Sequence, residues 1–136
     1  MRKLFSTTPG TLSTHISLLI LRLGIGALML THGWPKLNRL LAGGEISFPD
    51  PLGIGTVPSL VMATLTEVAG SILVMLGLAT RLAAFSLAFT MMVAVFIVHA
   101  DDPFSRMELG LIYLLVYIVL MITGSGKYAL DRYLSK

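Results

Sequence analysis

Cysteine is absent from the 136 residues, which removes disulfides, thiolate ligation of zinc or iron–sulfur clusters, and any thiol relay carried by this chain. Charge is scarce too: Asp, Glu, Lys and Arg supply 12% of the residues, where a soluble domain carries about a quarter. With 55% hydrophobic residues and a mean hydropathy of +0.86, the chain cannot cover itself with a solvated surface. A soluble enzyme is excluded. The ten Lys and Arg are scattered singly between apolar runs and form no basic stripe, so the net charge of +3 speaks about membrane topology and not nucleic acid.

What is present is four apolar runs, about residues 16–34, 57–79, 82–98 and 107–124, each near the roughly 20 residues that cross the hydrocarbon of a bilayer as a helix. They predict an all-α fold: one membrane domain over residues 1–136, built as a four-helix transmembrane bundle. Arg2 and Lys3 resemble the start of a signal peptide, but no small-residue cleavage site follows and Arg22 interrupts the apolar stretch, so the first span is expected to remain. Placing both termini in the cytoplasm puts Arg2, Lys3, Arg81, Lys127, Arg132 and Lys136 inside and Lys36, Arg39 and Arg106 outside, which sets the expected orientation as N-in and C-in. Trp34 and Phe104 then mark the outer interface, and Tyr128 and Tyr133 the inner one.

The connections differ. A corner at Thr80-Arg81 and a short link over residues 100–106 make helices 2, 3 and 4 antiparallel neighbours. The long outer loop between helices 1 and 2, residues 38–56, is rich in Pro and Gly yet keeps Phe48 and Leu52, a composition that suits a lid. Inward faces are expected along Gly24, Leu28 and His32 of helix 1, Ala63, Glu67, Gly70, Ser71, Val74 and Gly77 of helix 2, and Ala84, Ala88, Met92, Val95 and His99 of helix 3.

A charge deep in a bilayer costs at least about 2.5 kcal/mol, so it persists where a partner compensates it. With Trp34 and Pro58 both set at the outer interface, a rise of about 1.5 Å per residue puts Arg22 and Glu67 at nearly the same depth, and a structural ion pair Arg22–Glu67 is expected. A second layer lies at the outer mouth, where His32, Lys36, His99, Asp101, Asp102 and Glu108 fall near helix ends. Such a set can relay protons, hydrogen-bond the carbonyl oxygens of a quinone, or ligate a metal. No His-x-x-x-His or Glu-x-x-His pair lies within one helix, so the spacing supports a metal less than a quinone and leaves its identity unknown. Glu67 and His99 are the candidate catalytic groups, and His32, Lys36 and Glu108 the candidate ligand contacts. Beside these stand plainer roles: solvated caps for Lys36, Asp101, Asp102 and Arg106, neutral packed histidines, and an aromatic pair for Tyr113 and Tyr117.

The order Arg22-Leu23-Gly24, His32-Gly33, Lys36-Leu37, Phe48-Pro49-Asp50-Pro51-Leu52-Gly53, Glu67, Gly70, Gly77, Thr80-Arg81, His99, Glu108 and Gly126-Lys127-Tyr128 with Leu130-Asp131 resembles the DoxX family over about residues 18 to 131. The resemblance implies a four-helix protein of the bacterial inner membrane. It is a family named from likeness to a subunit of a thiosulfate:quinone oxidoreductase, with some members described as membrane partners of a superoxide dismutase and a sulfurtransferase. It carries Arg22, His32, Lys36, Glu67, Arg81, His99 and Glu108 as positions of interest. Trp34-Pro35 departs from the pattern, and the proline is expected to bend or end helix 1 before Lys36. Three readings stay open: a quinone-linked redox protein or oxidoreductase subunit, a non-enzymatic anchor for soluble partners, and a small-molecule or proton transporter completed by a homo-oligomer.

Overall fold

The computed structural model describes residues 10 to 134; Arg2, Lys3 and Lys136 of the charge count lie outside the described residues. Four helices are long and apolar enough to cross a membrane. They are α1 (Thr11–Ala42), α2 (Thr56–Leu76), α3 (Thr80–Val93) with a π-helical continuation over Ala94–Val98, and α4 (Phe104–Thr123), followed by the single turn α5 (Asp131–Leu134). Consecutive helices run antiparallel, α1 on α2, α2 on α3 and α3 on α4, while α1 and α4 touch little and leave a cleft between them. Both described chain ends come to one end of the bundle, where the Lys127 N–H donates to His15 Nδ1 at 3.2 Å. That end is called here the terminal end, and the opposite one the loop end.

The helices start and stop for local reasons. Gly77 takes φ +68, and the N–H groups of Gly77 and Leu78 close back on the carbonyls of Val74 and Leu73 at 3.1 and 2.9 Å, which ends α2. The turn is completed by Ala79, left-handed at φ 47, so the corner is Gly77 to Ala79 and Thr80 already belongs to α3. The Asp131 carboxylate accepts from the N–H groups of Ala79 and Thr80 at 2.6 and 3.1 Å, capping α3 from the far end of the chain.

Helix 1 departs from expectation. It runs on through Pro35 to Ala42, 32 residues in all, so the proline neither ends it nor frees Lys36 from the helix. A proline in a helix leaves one carbonyl a turn earlier without its donor, a loss that flanking backbone can absorb. The buried stripe of α1 is Arg22, Ile25, Gly26, Met29 and Gly33, whereas Gly24, Leu28 and His32 lie on the more exposed side. The expected stripe was rotated because three glycines share this stretch and only two of them are in the seam. A Cβ on Gly33 would come within 3.2 Å of the Val68 backbone N and 3.1 Å of Glu67 Cβ, and one on Gly26 within 3.1 Å of the Ser71 carbonyl. Close backbone approach of α1 and α2 therefore requires glycine at both positions.

In α2 Glu67, Gly70, Ser71 and Val74, with Gly77 at its end, are buried as the pattern predicts, but Thr64 is buried where Ala63 was expected. In α3 Ala84, Ala88 and Val95 are inward but Met91 replaces Met92, which is exposed. The core sits between the helices on Met29, Val74, Leu87, Tyr117 and Leu120, each no more than 1% exposed. Outward faces carry Leu65, Ile72, Leu82, Leu115 and Ile122, the surface a lipid-embedded bundle offers to acyl chains.

Candidate functional site

The seam between α1 and α2 sets the register of everything that follows. Gly33 faces Glu67 and Val68, Gly26 faces Ser71 and Met75, and Gly77 faces the Arg22 guanidinium. Trp34 is thus level with the middle of α2 and not with its start at Thr56. Arg22 lies near the terminal end, level with Gly77, and Glu67 at the middle of α2, ten residues earlier, so the expected Arg22–Glu67 ion pair does not form. Arg22 donates instead to the Tyr128 carbonyl, and Glu67 Oε1 pairs with the Lys36 ammonium one turn beyond Gly33. The error came from taking Trp34 and Pro58 as the same depth, when α1 continues two turns past Trp34.

Glu67 is buried, its side chain 3% exposed, and its Oε2 has no hydrogen-bond partner among the described residues. Lys36 is less enclosed, and its Nζ lies 5.8 Å from the centroid of the Phe48 ring, which comes from the loop after α1. Two cavities meet at this pair, and both are lined by Lys36, Glu67, Ala94 and His99. The larger, about 460 Å³, is a groove between α2 and α3 with Met62, Phe85 and Phe89 on its walls. Phe48, Pro51 and Leu52 of the α1–α2 loop close over it, so the loop has the position of a lid. The smaller, about 260 Å³, lies in the α1–α4 cleft beside Met29, His32, Met91, Arg106 and Tyr113.

The lid is tied down. Asp50 Oδ1 accepts from the Ile54 N–H at 3.0 Å and the Ser59 hydroxyl at 2.8 Å, and Oδ2 from the Gly55 N–H at 2.8 Å. The Ser59 hydroxyl and the Gly55 N–H hold the Asp50 carboxyl below its usual range, so it stays an anion and keeps all three bonds at neutral pH. Arg39, the last basic residue of α1, donates to the Ser47 carbonyl at 3.0 Å and anchors the loop's other arm.

His99 reaches the cavities because of the π-helical turn. The His99 N–H closes on the Ala94 carbonyl at 3.0 Å, a span of five residues, and the extra residue swings the end of α3. Its Nδ1 lies 2.6 Å from Asp102 Oδ2, and Arg106 Nη1 lies 3.7 Å from the same oxygen. His99 and then Arg106 hold the Asp102 carboxyl low, which makes it a standing acceptor. A neutral His99 donating from Nδ1 keeps Nε2 as its acceptor nitrogen, the arrangement of an oriented proton-exchanging imidazole.

Of the residues singled out from sequence, Lys36, Glu67 and His99 converge, and His32 joins them in the smaller cavity with its ring edge-on to Tyr113, centroids 5.7 Å apart. Tyr113 and Tyr117 stack at 6.2 Å as the aromatic pair that the plainer reading foresaw. Glu108 does not converge: it is exposed on α4 and lines neither cavity, because it stands two residues from Arg106 and so on another face of the helix. Phe85 and Phe89 were missed. Their spacing of four along α3, one residue on from the Ala84 and Ala88 stripe and so flanking it, was the available signal. Among the described residues no three His, Asp or Glu side chains gather closely enough to hold a metal ion.

The sequence pattern of the DoxX family matches residues 17–100. Among similar proteins, "Putative oxidoreductase CatD" of Bacillus subtilis (strain 168) is 34% identical over 125 residues, covering 91% of this chain and 91% of the relative. "Inner membrane protein YqjF" of Escherichia coli (strain K12) is 29% identical over 127 residues, 89% of this chain and 94% of that protein. An uncharacterized protein of Haemophilus influenzae is 32% identical over 125 residues, 85% and 88% of the two chains. No solved structure matches. With more than half of its length inside the family pattern and a relative above 30% identity over nearly all of it, this chain belongs to the DoxX family.

Proposed function

We propose that the protein is a quinone-linked redox component of the bacterial inner membrane, with both termini in the cytoplasm and the α1–α2 loop on the outer side. The observation that carries this reading is the Lys36–Glu67 pair at the meeting point of two cavities, with the carboxylate buried and one of its oxygens without a hydrogen bond among the described residues. The names of two relatives, an oxidoreductase and an inner membrane protein, support it.

The larger cavity has the size range of small-ligand sites, mostly apolar walls with Phe85 and Phe89, and the charged pair Lys36–Glu67 in its lining. These features suit a planar apolar ring with a carbonyl oxygen. The Lys36 ammonium would donate to that oxygen, Glu67 Oε2 would accept from a hydroxyl in its place, and Phe85 and Phe89 would hold the ring plane. A bound quinone supplies two-electron, two-proton chemistry. The chain has no thiol to carry electrons, so the two electrons need a donor outside it, in this reading a soluble redox protein, and the protein's own part is to hold the ring and move protons at Glu67 and His99.

The test is purification in mild detergent, organic extraction and chromatography for quinone, with metal analysis alongside, repeated for Glu67→Gln and His99→Ala. Bound quinone in the wild type and its loss in both variants is the expected result. A folded protein that carries no quinone and binds none on addition, yet co-purifies with a soluble protein, would replace this reading with the non-enzymatic anchor.

A further inference from the structure

At the terminal end the bundle holds a second large pocket, about 910 Å³, that the proposed redox site does not use. Its wall includes Arg81 at the start of α3, Lys127 in the segment after α4, Arg132 on α5, and His15 on α1. We infer that this pocket seats the phosphate headgroup of an anionic phospholipid.

Charge distribution is the first reason. Five of the seven carboxylates, Glu45, Asp50, Asp101, Asp102 and Glu108, are at the loop end, and Glu67 is in the bundle. The pocket wall has one, Asp131, against Arg81, Lys127 and Arg132. Asp131 keeps its charge, but both of its oxygens are turned to the N–H groups at the start of α3. The pocket is therefore cationic.

Geometry is the second. The Arg81 guanidinium lies along Gly124, its Nε 3.4 Å from where a Cβ would stand, and gives one N–H to the Ile122 carbonyl at 3.3 Å. The rest of its planar fork is available for two phosphate oxygens. His15 Nδ1 accepts the Lys127 N–H, which fixes its tautomer and leaves Nε2–H as a donor.

Depth selects a lipid over a soluble anion. The pocket lies where α2 ends and α3 begins, beside Leu82, 68% exposed, and Ile122, 72% exposed, which extend from the cationic rim into the apolar belt. A headgroup among the cations with an acyl chain along Leu82 and Ile122 meets both surfaces at once, and basic pockets at the cytoplasmic ends of helices bind such headgroups.

The experiment is native mass spectrometry of the full chain, delipidated in detergent and incubated with phosphatidylglycerol, phosphatidylcholine or inorganic phosphate. Phosphatidylglycerol adducts should exceed phosphatidylcholine adducts, and fall by roughly fivefold for each cation removed in Arg81→Gln and Lys127→Gln. Arg81→Lys with Lys127→Arg should restore them, and Arg39→Gln at the loop end should leave them unchanged; a monodisperse gel-filtration peak certifies folding for every variant. Equal adducts of the two lipids, or adducts indifferent to Arg81 and Lys127, would overturn the site. Displacement of phosphatidylglycerol by millimolar phosphate would overturn the lipid assignment in favour of a soluble phosphate.

Discussion

Helix 1 carries two cations on one stripe, Arg22 and, fourteen residues later, Lys36, about 21 Å apart along the axis. Both point into the seam with α2, and they are partnered in different ways, Arg22 through Nη2 alone with Nε and Nη1 buried and without a hydrogen bond among the described residues. Arg22 is fully buried, fills the space that Gly77 leaves by having no Cβ, and donates to a main-chain carbonyl of the segment after α4. Asp131 of the same segment acts on it through space, so this cation is a clasp holding the C-terminal segment to the bundle. Lys36 meets a carboxylate at the border of two cavities, and a carboxylate can take up a proton. Arg22 is the more deeply buried of the two, and only Lys36, whose carboxylate partner stands beside open space, is suited to chemistry.

The clasp is the more severe place to break the comparison. At Gly77 an alanine Cβ would stand 1.7 Å from Arg22 Nη1 and 2.5 Å from Ala129 Cβ, on a backbone at φ +68. Overpacking and left-handed strain add, and Gly77→Ala should lower stability by about 3 kcal/mol or more. Thermal melting in detergent reads that loss, and limited proteolysis should show cleavage after Gly124 before any cut in α2 or α3. A variant as stable as the wild type would mean that Arg22 is not held as a clasp.

The second prediction sharpens the contrast by coupling. Lys36→Met leaves Glu67 buried and unpaired, and should cost toward the lower end of about 3–5 kcal/mol because Lys36 is partly accessible. Adding Glu67→Gln should recover a coupling energy of about 1–3 kcal/mol, whereas Arg22→Met with Glu67→Gln should be additive within about 0.5 kcal/mol. Denaturation in mixed detergent measures both cycles. Coupling of Glu67 to Arg22 instead of Lys36 would contradict the register of α1 against α2.

Much of this was legible in the residues. Four apolar runs gave the number and order of the helices, and the small residues of α2 gave its inward face with Glu67 on it. That the loop would turn apolar side chains toward the bundle was legible because Phe48 and Leu52 sit in a segment whose prolines and glycines break helices. The partner of Glu67 was not. Partnering depends on register, and register depends on where α1 ends, a point at which Trp34-Pro35 reads as a stop although neighbours sustain the helix to Ala42. Gly26 and Gly33, seven apart on the stripe of Arg22 and Lys36, held the missing signal, since close approach needs both. The swing of His99 into the site was illegible for another reason: a π-turn inserts one residue without a local sequence mark.

A third prediction concerns Asp131, which serves the same end of the molecule as Arg22. Burial pushes its carboxyl up, yet the N–H groups of Thr80 and Ala79 outweigh that and hold it below its ordinary value. A carboxyl lowered in the folded state stabilises above its unfolded pKa, about 3.9, and loses that contribution as pH falls through the folded value. Asp131→Asn should therefore cost about 1 kcal/mol at pH 7 and progressively less below pH 4, so that the melting curves of wild type and variant converge in acid. Parallel curves at all pH values would mean that Asp131 does not cap α3 as an anion.

The smallest effect on stability is expected at the lid, because Asp50 lies outside the packed helices and its bonds compete with water. Asp50→Ala removes the acceptor for Ile54, Gly55 and Ser59 together. Melting temperature should hardly move, while amide hydrogen exchange at Ile54 and Gly55 should rise at least about tenfold as those N–H groups lose their partner. If Phe48 and Leu52 cover a bound ring, dissociation of a short-tailed quinone analogue should quicken in the same variant, with association nearly unchanged. Faster exchange without faster dissociation would leave the loop a rigid strap over a groove that does not trap its ligand, and the Lys36–Glu67 end of the cavity would then have to hold the ring unaided.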